Sequence, residues 1–274
     1  MTSLYTENSE KWKSLASIDY FTQFVKAWIP FNAWYKNYYT GIKTDREAIN
    51  EIKKNSKFRN KLISLLKDNS NDGIVFRSYI ARLHWELERK HLFNKSDRIT
   101  FERISIESNS KKTHVWTYSS ITYKVEREIS EKPKKEIQIC VIGKKGQNCF
   151  NYAQIDGFSL DDLTSHQDFL KLSRTQRETL KICYEEINPS KPINLLIQDP
   201  ELIKRAGDPK AKREWIKIEN FLFINDEDKI CKGIIEVLYK LRNVLFHGEI
   251  IPDNDTNKVY EPAYQILYAL IQAL

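Results

Sequence analysis

The feature that most constrains the fold is a strongly patterned helix near the C-terminus, over residues 225–248. Its apolar residues recur at helical spacing, at Ile230, Ile234, Val237, Leu241 and Leu245. This pattern predicts a helix that buries one stripe against a core. Asn225 is the expected N-cap, and Gly248 is the expected left-handed residue after the last turn. The rest of the chain must therefore supply elements on which this stripe packs.

The polar residues of this helix predict a chemistry. At about 100° per residue, Arg242 and His247 fall on opposite flanks of the stripe, and Glu236 and Asn243 lie nearly opposite it. We therefore expect these four side chains on the outer half of the helix. Arg242 has a planar fork suited to phosphate oxygens, and the helix C-terminus favours a protonated His247. Arginine with histidine, without paired carboxylates or metal ligands, suits metal-free phosphodiester cleavage by a ribose 2′-OH.

The run Arg242-Asn-Val-Leu-Phe-His247-Gly resembles the R-x4-6-H motif of the HEPN superfamily, in which a polar residue typically follows the arginine. Trp28-Ile-Pro-Phe-Asn-Ala-Trp-Tyr35 is similar to the aromatic first helix of many HEPN domains. The resemblance covers about residues 18–40 and 226–274. It implies a helical bundle that forms a homodimer, with two motifs in one composite cleft. Catalytic members are metal-independent endoribonucleases without a cofactor, often in toxin–antitoxin or anti-phage systems, so RNA and an antitoxin or defence-system protein are the expected partners.

The resemblance assigns roles to individual residues. Arg242, Asn243 and His247 are the expected catalytic residues, with Glu236 and Asn32 in support. Independently of the resemblance, basic residues of this chain are expected to contact RNA: Lys240, Lys134, Lys135, Lys144 and Lys145. For Asn32, a structural role at the edge of the core is the alternative. One toxin subgroup carries a tyrosine two residues after the histidine, where a partner enzyme inactivates it. This chain has Glu249 there, so we expect control by another route.

Three other interpretations remain open. The motif spacing also occurs at Arg77 and His84, but without the following asparagine and glycine. Arg242 and His247 could simply form a solvated helix end. The chain could also be a non-catalytic HEPN-like module that binds RNA or a nucleotide or mediates assembly, or a helical scaffold without affinity for nucleic acid.

Composition narrows the function classes. The net charge of +7 favours an acidic partner such as nucleic acid. Four cysteines without a C-x-x-C pair indicate a reducing cytoplasm. Lys26 and Lys36 interrupt the most apolar stretch, so no membrane span is expected. The chain has no glycine-rich phosphate loop, G-x-S-x-G motif or zinc-type spacing. His84, Glu88 and His91 share one predicted helix face, for which a solvated polar face is favoured over a metal site.

The pattern along the chain predicts a mainly α fold with an inserted three- to four-stranded antiparallel meander. Residues 1–96 are expected to form the N-terminal helical half, 97–157 the insertion and 158–274 the C-terminal helices, all within one composite domain. Period-two alternation predicts strands at 99–107, 115–125 and 137–142, with a short fourth strand at 151–155. The loops between these strands contain several lysines, namely Lys111, Lys112, Lys132, Lys134, Lys135, Lys144 and Lys145. They fit an RNA or partner platform and an ordinary solvated surface equally well. Thr44 with Glu47 predicts a capping box at the start of a short helix, and Asp72-Gly73 predicts a turn. Residues 211–223 are expected to be helical, and the last helix to begin near Glu261.

Overall fold

The computed structural model describes residues 19–95, 97–127, 136–155, 157–205, 214–272 and 274. These residues are mainly helical, with small antiparallel sheets, so the coarse fold class is confirmed. They divide into two compact units. The helical unit contains the described residues up to Ile106 and from Ile193 onward, and the sheet unit contains Glu107–Pro192. The insertion was expected at 97–157, whereas the sheet unit runs from Glu107 to Pro192.

Four helices open the helical unit: α1 (Tyr20–Tyr38), α2 (Asp45–Lys54), α3 (Ser56–Lys67) and α4 (Asn71–Lys90). Local chemistry sets their starts. Asp19 accepts hydrogen bonds from the first backbone N–H groups of α1, and Thr44 with Glu47 forms the predicted capping box of α2. The turn predicted at Asp72-Gly73 is wrong, because Ser70 caps α4 and both residues lie in its first turn. The paired strands β1 (Phe93–Asn94) and β2 (Asp97–Arg98) follow.

The sheet unit contains the predicted antiparallel meander and, within it, the strand predicted at 137–142, but the strands before it differ from the prediction. Its order is β3 (Thr113–Tyr118), β4 (Ile121–Arg127), β5 (Ile137–Ile142) and β6 (Asn148–Gln154). The strand predicted over 115–125 is a hairpin, because Ser119 and Ser120 both take positive φ angles and turn the chain. The strand predicted over 99–107 is not part of this sheet. Ile104 forms only an isolated bridge with Ile193, and the apolar residues of the segment lie in the core of the helical unit.

Three helices complete the sheet unit: α5 (Leu160–Ser165), α6 (Gln167–Lys171) and α7 (Arg174–Glu186). They explain why this unit extends beyond the predicted insertion at 97–157. Leu163, Phe169, Leu180 and Tyr184 are buried together with the inward face of the sheet in a second hydrophobic core. The helices that follow the strands therefore belong with the sheet.

The helical unit resumes with α8 (Pro200–Arg205), the hairpin β7 (Trp215–Ile218) and β8 (Phe221–Ile224), α9 (Glu227–Phe246) and α10 (Asn254–Ile271). The helix predicted over 211–223 is wrong where the chain is described. Glu219 takes a positive φ angle at the turn, and the apolar residues on either side pair as strands. The last helix also starts earlier than predicted, because Asp253 caps it and leaves Pro262 in its interior.

The patterned helix lies in the middle of the helical unit. α9 packs on α1, α2 and α3, and α10 packs on α1 and α4. Asp226, not the predicted Asn225, is the N-cap of α9, since its side chain accepts from the Lys229 N–H. Among the described residues, no helix combines the length and apolar character needed to cross a membrane.

Candidate functional site

The middle of α9 is buried on every side. Each residue from Gly233 to Leu241 is inaccessible, including Glu236 and Lys240. The expectation that α9 has an exposed outer half holding Glu236 is therefore wrong. The wheel places Glu236 opposite the apolar stripe correctly, but α2 covers that side as well. α9 reaches the surface only near its two ends, in the first turn around Lys229 and in the last turns.

Glu236 forms a buried ion-pair network with α2. Its carboxylate accepts two hydrogen bonds from Arg46 Nη1, at 2.9 and 2.7 Å, and lies 2.5 Å from Lys53 Nζ. Lys53 is itself 4% exposed and also donates to the Ile106 carbonyl at 3.2 Å. Burial alone would raise the pKa of Glu236, but Arg46 and Lys53 outweigh it and hold that pKa below its usual range. Glu236 is thus engaged in holding α2 against α9.

Lys240 is also placed differently from the RNA contact that was expected. Its side chain is 7% exposed, and its ammonium lies 2.5 Å from Asp97 Oδ2 in the β1–β2 hairpin. A lysine buried in this way against a carboxylate cannot reach a phosphate without breaking its ion pair. The structure therefore removes Lys240 from the candidate site.

Arg242 occupies a defined position near the end of α9. Its Nη2 lies 3.0 Å from Asp45 Oδ2 at the start of α2, and its Nη1 donates to Asn243 Oδ1 at 3.0 Å. The guanidinium carbon lies 4.7 Å from the centre of the Phe246 ring, an arrangement typical of cation–π contact. These bonds use two of the five N–H donors of the guanidinium. Arg242 is 17% exposed, so its fork is held in place close to the surface.

Asp45 and Lys36 belong to this site, although sequence reasoning did not identify either. Lys36 Nζ in α1 lies 2.8 Å from Asp45 Oδ1, so one carboxylate bridges Lys36 and Arg242. Burial alone would raise the pKa of Asp45, but Lys36 and Arg242 outweigh it, and the pKa is lowered. Asp45 therefore stays ionised between the two cations. Its only sequence signal is local, as an acidic residue in the first turn after the Thr44 cap.

Two buried polar groups lie behind this ion pair. Tyr35 is 0% exposed and Trp28 1% exposed. Neither the Tyr35 hydroxyl nor the Trp28 Nε1–H has a partner of full hydrogen-bond geometry within the described part of the chain, but Asp45 and Trp28 both lie near enough to the hydroxyl to affect its pKa. Burial, followed by the nearby Asp45 carboxylate, raises the pKa of Tyr35 far above its usual value. The hydroxyl is therefore a neutral, buried donor beside Asp45.

The last turn of α9 places His247 at the surface. His247 is the C-cap, and its backbone N–H donates to the Asn243 carbonyl at 2.9 Å. Gly248 follows with φ of +66°, which confirms the predicted left-handed end of the helix. The Glu249 N–H closes the turn on the Val244 carbonyl at 2.9 Å. The His247 side chain is exposed, so it can approach a bound molecule.

Asn32 and Glu249 lie on the segments that flank the site. Asn32 is half-buried and lies one helical turn before Lys36 on α1, which places it on the flank of α1 that carries Lys36. Glu249 Oε2 accepts from the backbone N–H of Lys95 at 3.2 Å. Glu249 thus anchors the chain beyond α9 to the β1–β2 hairpin.

The second Arg–His match is structural. Arg77 Nη1 donates to the carbonyls of Leu66 and Asp68, at 3.1 and 2.5 Å, and so caps the end of α3. His84 is 4% exposed and lies edge-on to Phe221 with ring centres 4.6 Å apart. Burial lowers the pKa of His84. Because His84 is buried and Arg77 binds backbone carbonyls, the two side chains do not form a site together.

The His84, Glu88 and His91 face does not assemble either. Glu88 accepts from Arg98 and from Thr100, each at 2.5 Å, and it lies 4.0 Å from His84 Nδ1. His91 is the exposed left-handed C-cap of α4. Among the described residues, no group of three or more histidine, cysteine, aspartate or glutamate side chains could hold a metal ion.

The loop lysines of the sheet unit have mixed outcomes. Lys144 and Lys145 are exposed in the β5–β6 turn. Lys111 is paired with Glu186 at 2.8 Å. Lys132, Lys134 and Lys135 lie outside the described residues. The structure therefore leaves Lys144 and Lys145 accessible, and it does not distinguish an RNA platform from a solvated surface.

The end of α9 thus brings one permanent cation, one amide and one imidazole to the surface, with Lys36 beside them. Arg242 and His247 are separated by five residues, which corresponds to about 7.5 Å along the helix and about 140° around it. Asn243 and His247 are separated by four residues and so share a face.

Comparison of the chain with protein-family models, with curated proteins and with solved structures finds no match in any of the three.

Proposed function

We propose that the chain is a metal-independent endoribonuclease whose site is built from Arg242, Asn243 and His247. The observation that carries the proposal is the geometry at the end of α9. Arg242 is fixed by Asp45, Asn243 and Phe246, these bonds leave one N–H on each Nη atom unused, and His247 is exposed one turn later. The resemblance of the same residues to the HEPN motif supports this proposal.

The proposed reaction is attack by a ribose 2′-OH on the adjacent phosphorus. The new P–O bond forms as the bond to the 5′-oxygen breaks, which leaves a 2′,3′-cyclic phosphate and a 5′-OH end. His247 moves a proton, either from the 2′-OH or to the leaving oxygen. Arg242 stabilises the negative charge that builds up on the phosphate oxygens. Asn243, which already contacts Arg242 and lies one turn before His247, orients these groups.

The proposed active form is a homodimer with a composite cleft. Within one copy of the chain, Arg242 and His247 lie about 140° apart around the helix, so their side chains point in different directions. Two copies related by a two-fold axis would bring the histidine of one beside the arginine of the other. The exposed Phe246, 49% accessible in the last turn of α9, gives that surface an apolar element. An antitoxin or defence-system protein is the proposed regulatory partner, and Glu249 excludes tyrosine modification at its position.

A non-catalytic RNA-binding module is the second candidate. The observation that favours it is the ion pair of Arg242 with Asp45, since this carboxylate offsets part of the positive charge that a transition state would need. Such a module would still bind a phosphate backbone with affinity that falls as salt rises. A helical scaffold without nucleic-acid function would show no such affinity.

Cleavage of total cellular RNA in excess EDTA tests the proposed function. The wild-type protein should give fragments ending in 2′,3′-cyclic phosphate, and His247→Ala should lower the rate by at least about a hundredfold. His91→Ala, which changes an exposed histidine at the end of α4, is the matched control and should cleave like the wild type. Equal cleavage by wild type and His247→Ala would contradict the site. Binding of RNA without cleavage by any variant would favour the second candidate.

A further inference from the structure

One carboxylate, that of Asp45, separates two cations that come from different helices. Lys36 Nζ lies 2.8 Å from Oδ1, and Arg242 Nη2 lies 3.0 Å from Oδ2. The three side chains together carry a net charge of about +1. Asp45 is also the first residue of α2, where the positive end of the helix dipole adds to the field of the cations. The three side chains therefore leave one net positive charge although a carboxylate lies between the two cations.

Lys36 is the more accessible of the two cations. Its side chain is 46% exposed, against 17% for Arg242. An ammonium has three N–H donors, and the bond to Asp45 uses one of them. Lys36 can thus keep its bond to Asp45 and still donate to a phosphate oxygen on its solvent side. Arg242 keeps one N–H on each Nη atom beyond those that bind Asp45 and Asn243, while its Nε is buried.

We propose that Lys36 is a second phosphate-binding residue, and that Asp45 sets the spacing of Lys36 and Arg242 so that both contact the RNA backbone. The inference rests on the proposed function, because it assigns the phosphate chemistry of the same site. It adds a residue outside the Arg242–His247 motif and a role for α1. The competing explanation is that Lys36 and Asp45 form an ordinary surface ion pair that contributes little beyond stability.

Binding of a short single-stranded 2′-O-methyl RNA, measured by fluorescence anisotropy over a range of KCl concentrations, separates these explanations. This RNA lacks the attacking hydroxyl, so the measurement does not depend on cleavage. Lys36→Met should weaken binding about tenfold to a hundredfold, because a charge-assisted hydrogen bond is lost. It should also reduce the slope of log affinity against log salt by about 0.7, the value for one phosphate contact on a single strand.

Two variants complete the design. Lys26→Met removes an exposed lysine from the same helix and should leave both affinity and slope unchanged. Lys36→Arg keeps the charge and should restore most of the affinity. Lys36→Met with wild-type affinity and slope would overturn the inference, and so would a wild-type protein that binds this RNA without salt dependence. If the protein binds this RNA through Lys36 but cleaves no RNA, the role of Lys36 in phosphate binding is supported and the proposed nuclease activity is refuted. The failure of one proposal can therefore be distinguished from the failure of the other.

Discussion

A substitution at Glu236 should change the stability of the chain without changing the candidate site. Glu236 lies only six residues from Arg242, but its carboxylate is bound to Arg46 and Lys53. Glu236→Gln keeps the shape of the side chain and removes its charge. Lys53, 4% exposed, then remains buried beside a neutral amide. Breaking a buried ion pair on one side typically destabilises a fold by about 3–5 kcal/mol. For a unit of this size, that corresponds to a fall in melting temperature of about 6–20 °C.

The assay is thermal and urea unfolding of the full chain, followed by tryptophan fluorescence. Glu51→Gln is the matched control, because Glu51 pairs with Lys54 on the exposed side of α2, and its loss should change stability by less than about 0.5 kcal/mol. Converting both Glu236 and Lys53 to methionine should recover most of the loss. A Glu236→Gln variant within about 1 kcal/mol of wild type would refute the assignment of Glu236 to a dry structural network.

The same network predicts a pH dependence. Since Arg46 and Lys53 hold the pKa of Glu236 below its ordinary value of 4.5, its stabilising contribution is complete above that pH. The contribution is lost as the pH falls through the lower folded value, where the folded protein takes up the proton. Glu236→Gln should therefore flatten the acid limb of the stability profile. RNA affinity per folded molecule should not change, because the side chain does not reach the surface.

Two further predictions concern histidine burial and the end of α9. His84 has a pKa lowered by burial, so stability should fall as the pH drops from about 6.5 toward the lower folded value, and His84→Leu should remove that part of the unfolding profile. Unchanged profiles would contradict the buried, neutral state of His84. Gly248→Ala forces an alanine to φ of +66° and should destabilise the chain by about 1 kcal/mol in urea unfolding. The same change should lower any cleavage activity more than Gly146→Ala, which alters a positive-φ glycine in the sheet unit, because His247 precedes Gly248.

The sequence was sufficient for several features that are decided locally, although not for the Asn225 cap or the Asp72-Gly73 turn. The capping box of Thr44 and Glu47, the apolar stripe of α9 and the left-handed Gly248 were all predicted and are confirmed. Each depends on residues within one or two turns. The hairpin at 215–224 was missed because four-residue strands carry too short an alternation to outweigh a helical pattern over the same residues. The predicted insertion was too short because nothing in the sequences of the three helices that follow the strands indicates that they pack on the sheet.

The errors at the site have a different cause. A helical wheel gives the direction in which each side chain points. It does not show which sides of the helix are covered by neighbouring elements. Glu236 and Lys240 were placed on an exposed face because only one apolar stripe was visible, whereas α2 and the β1–β2 hairpin bury that face with compensating charges. Opposite charges make such burial possible, so a polar residue on a wheel does not by itself indicate solvent.

Asp45 orders the candidate site across a long separation in sequence. It is 197 residues from Arg242, and no local pattern links the two. Yet its carboxylate determines where the guanidinium points, and it brings Lys36 of a third segment to the same place. An arginine at the end of an isolated helix would sample many rotamers, and holding a phosphate would require ordering it first. Because Asp45 of α2, itself paired with Lys36 of α1, already orders Arg242, the proposed phosphate contact depends on the bundle more than on the motif alone.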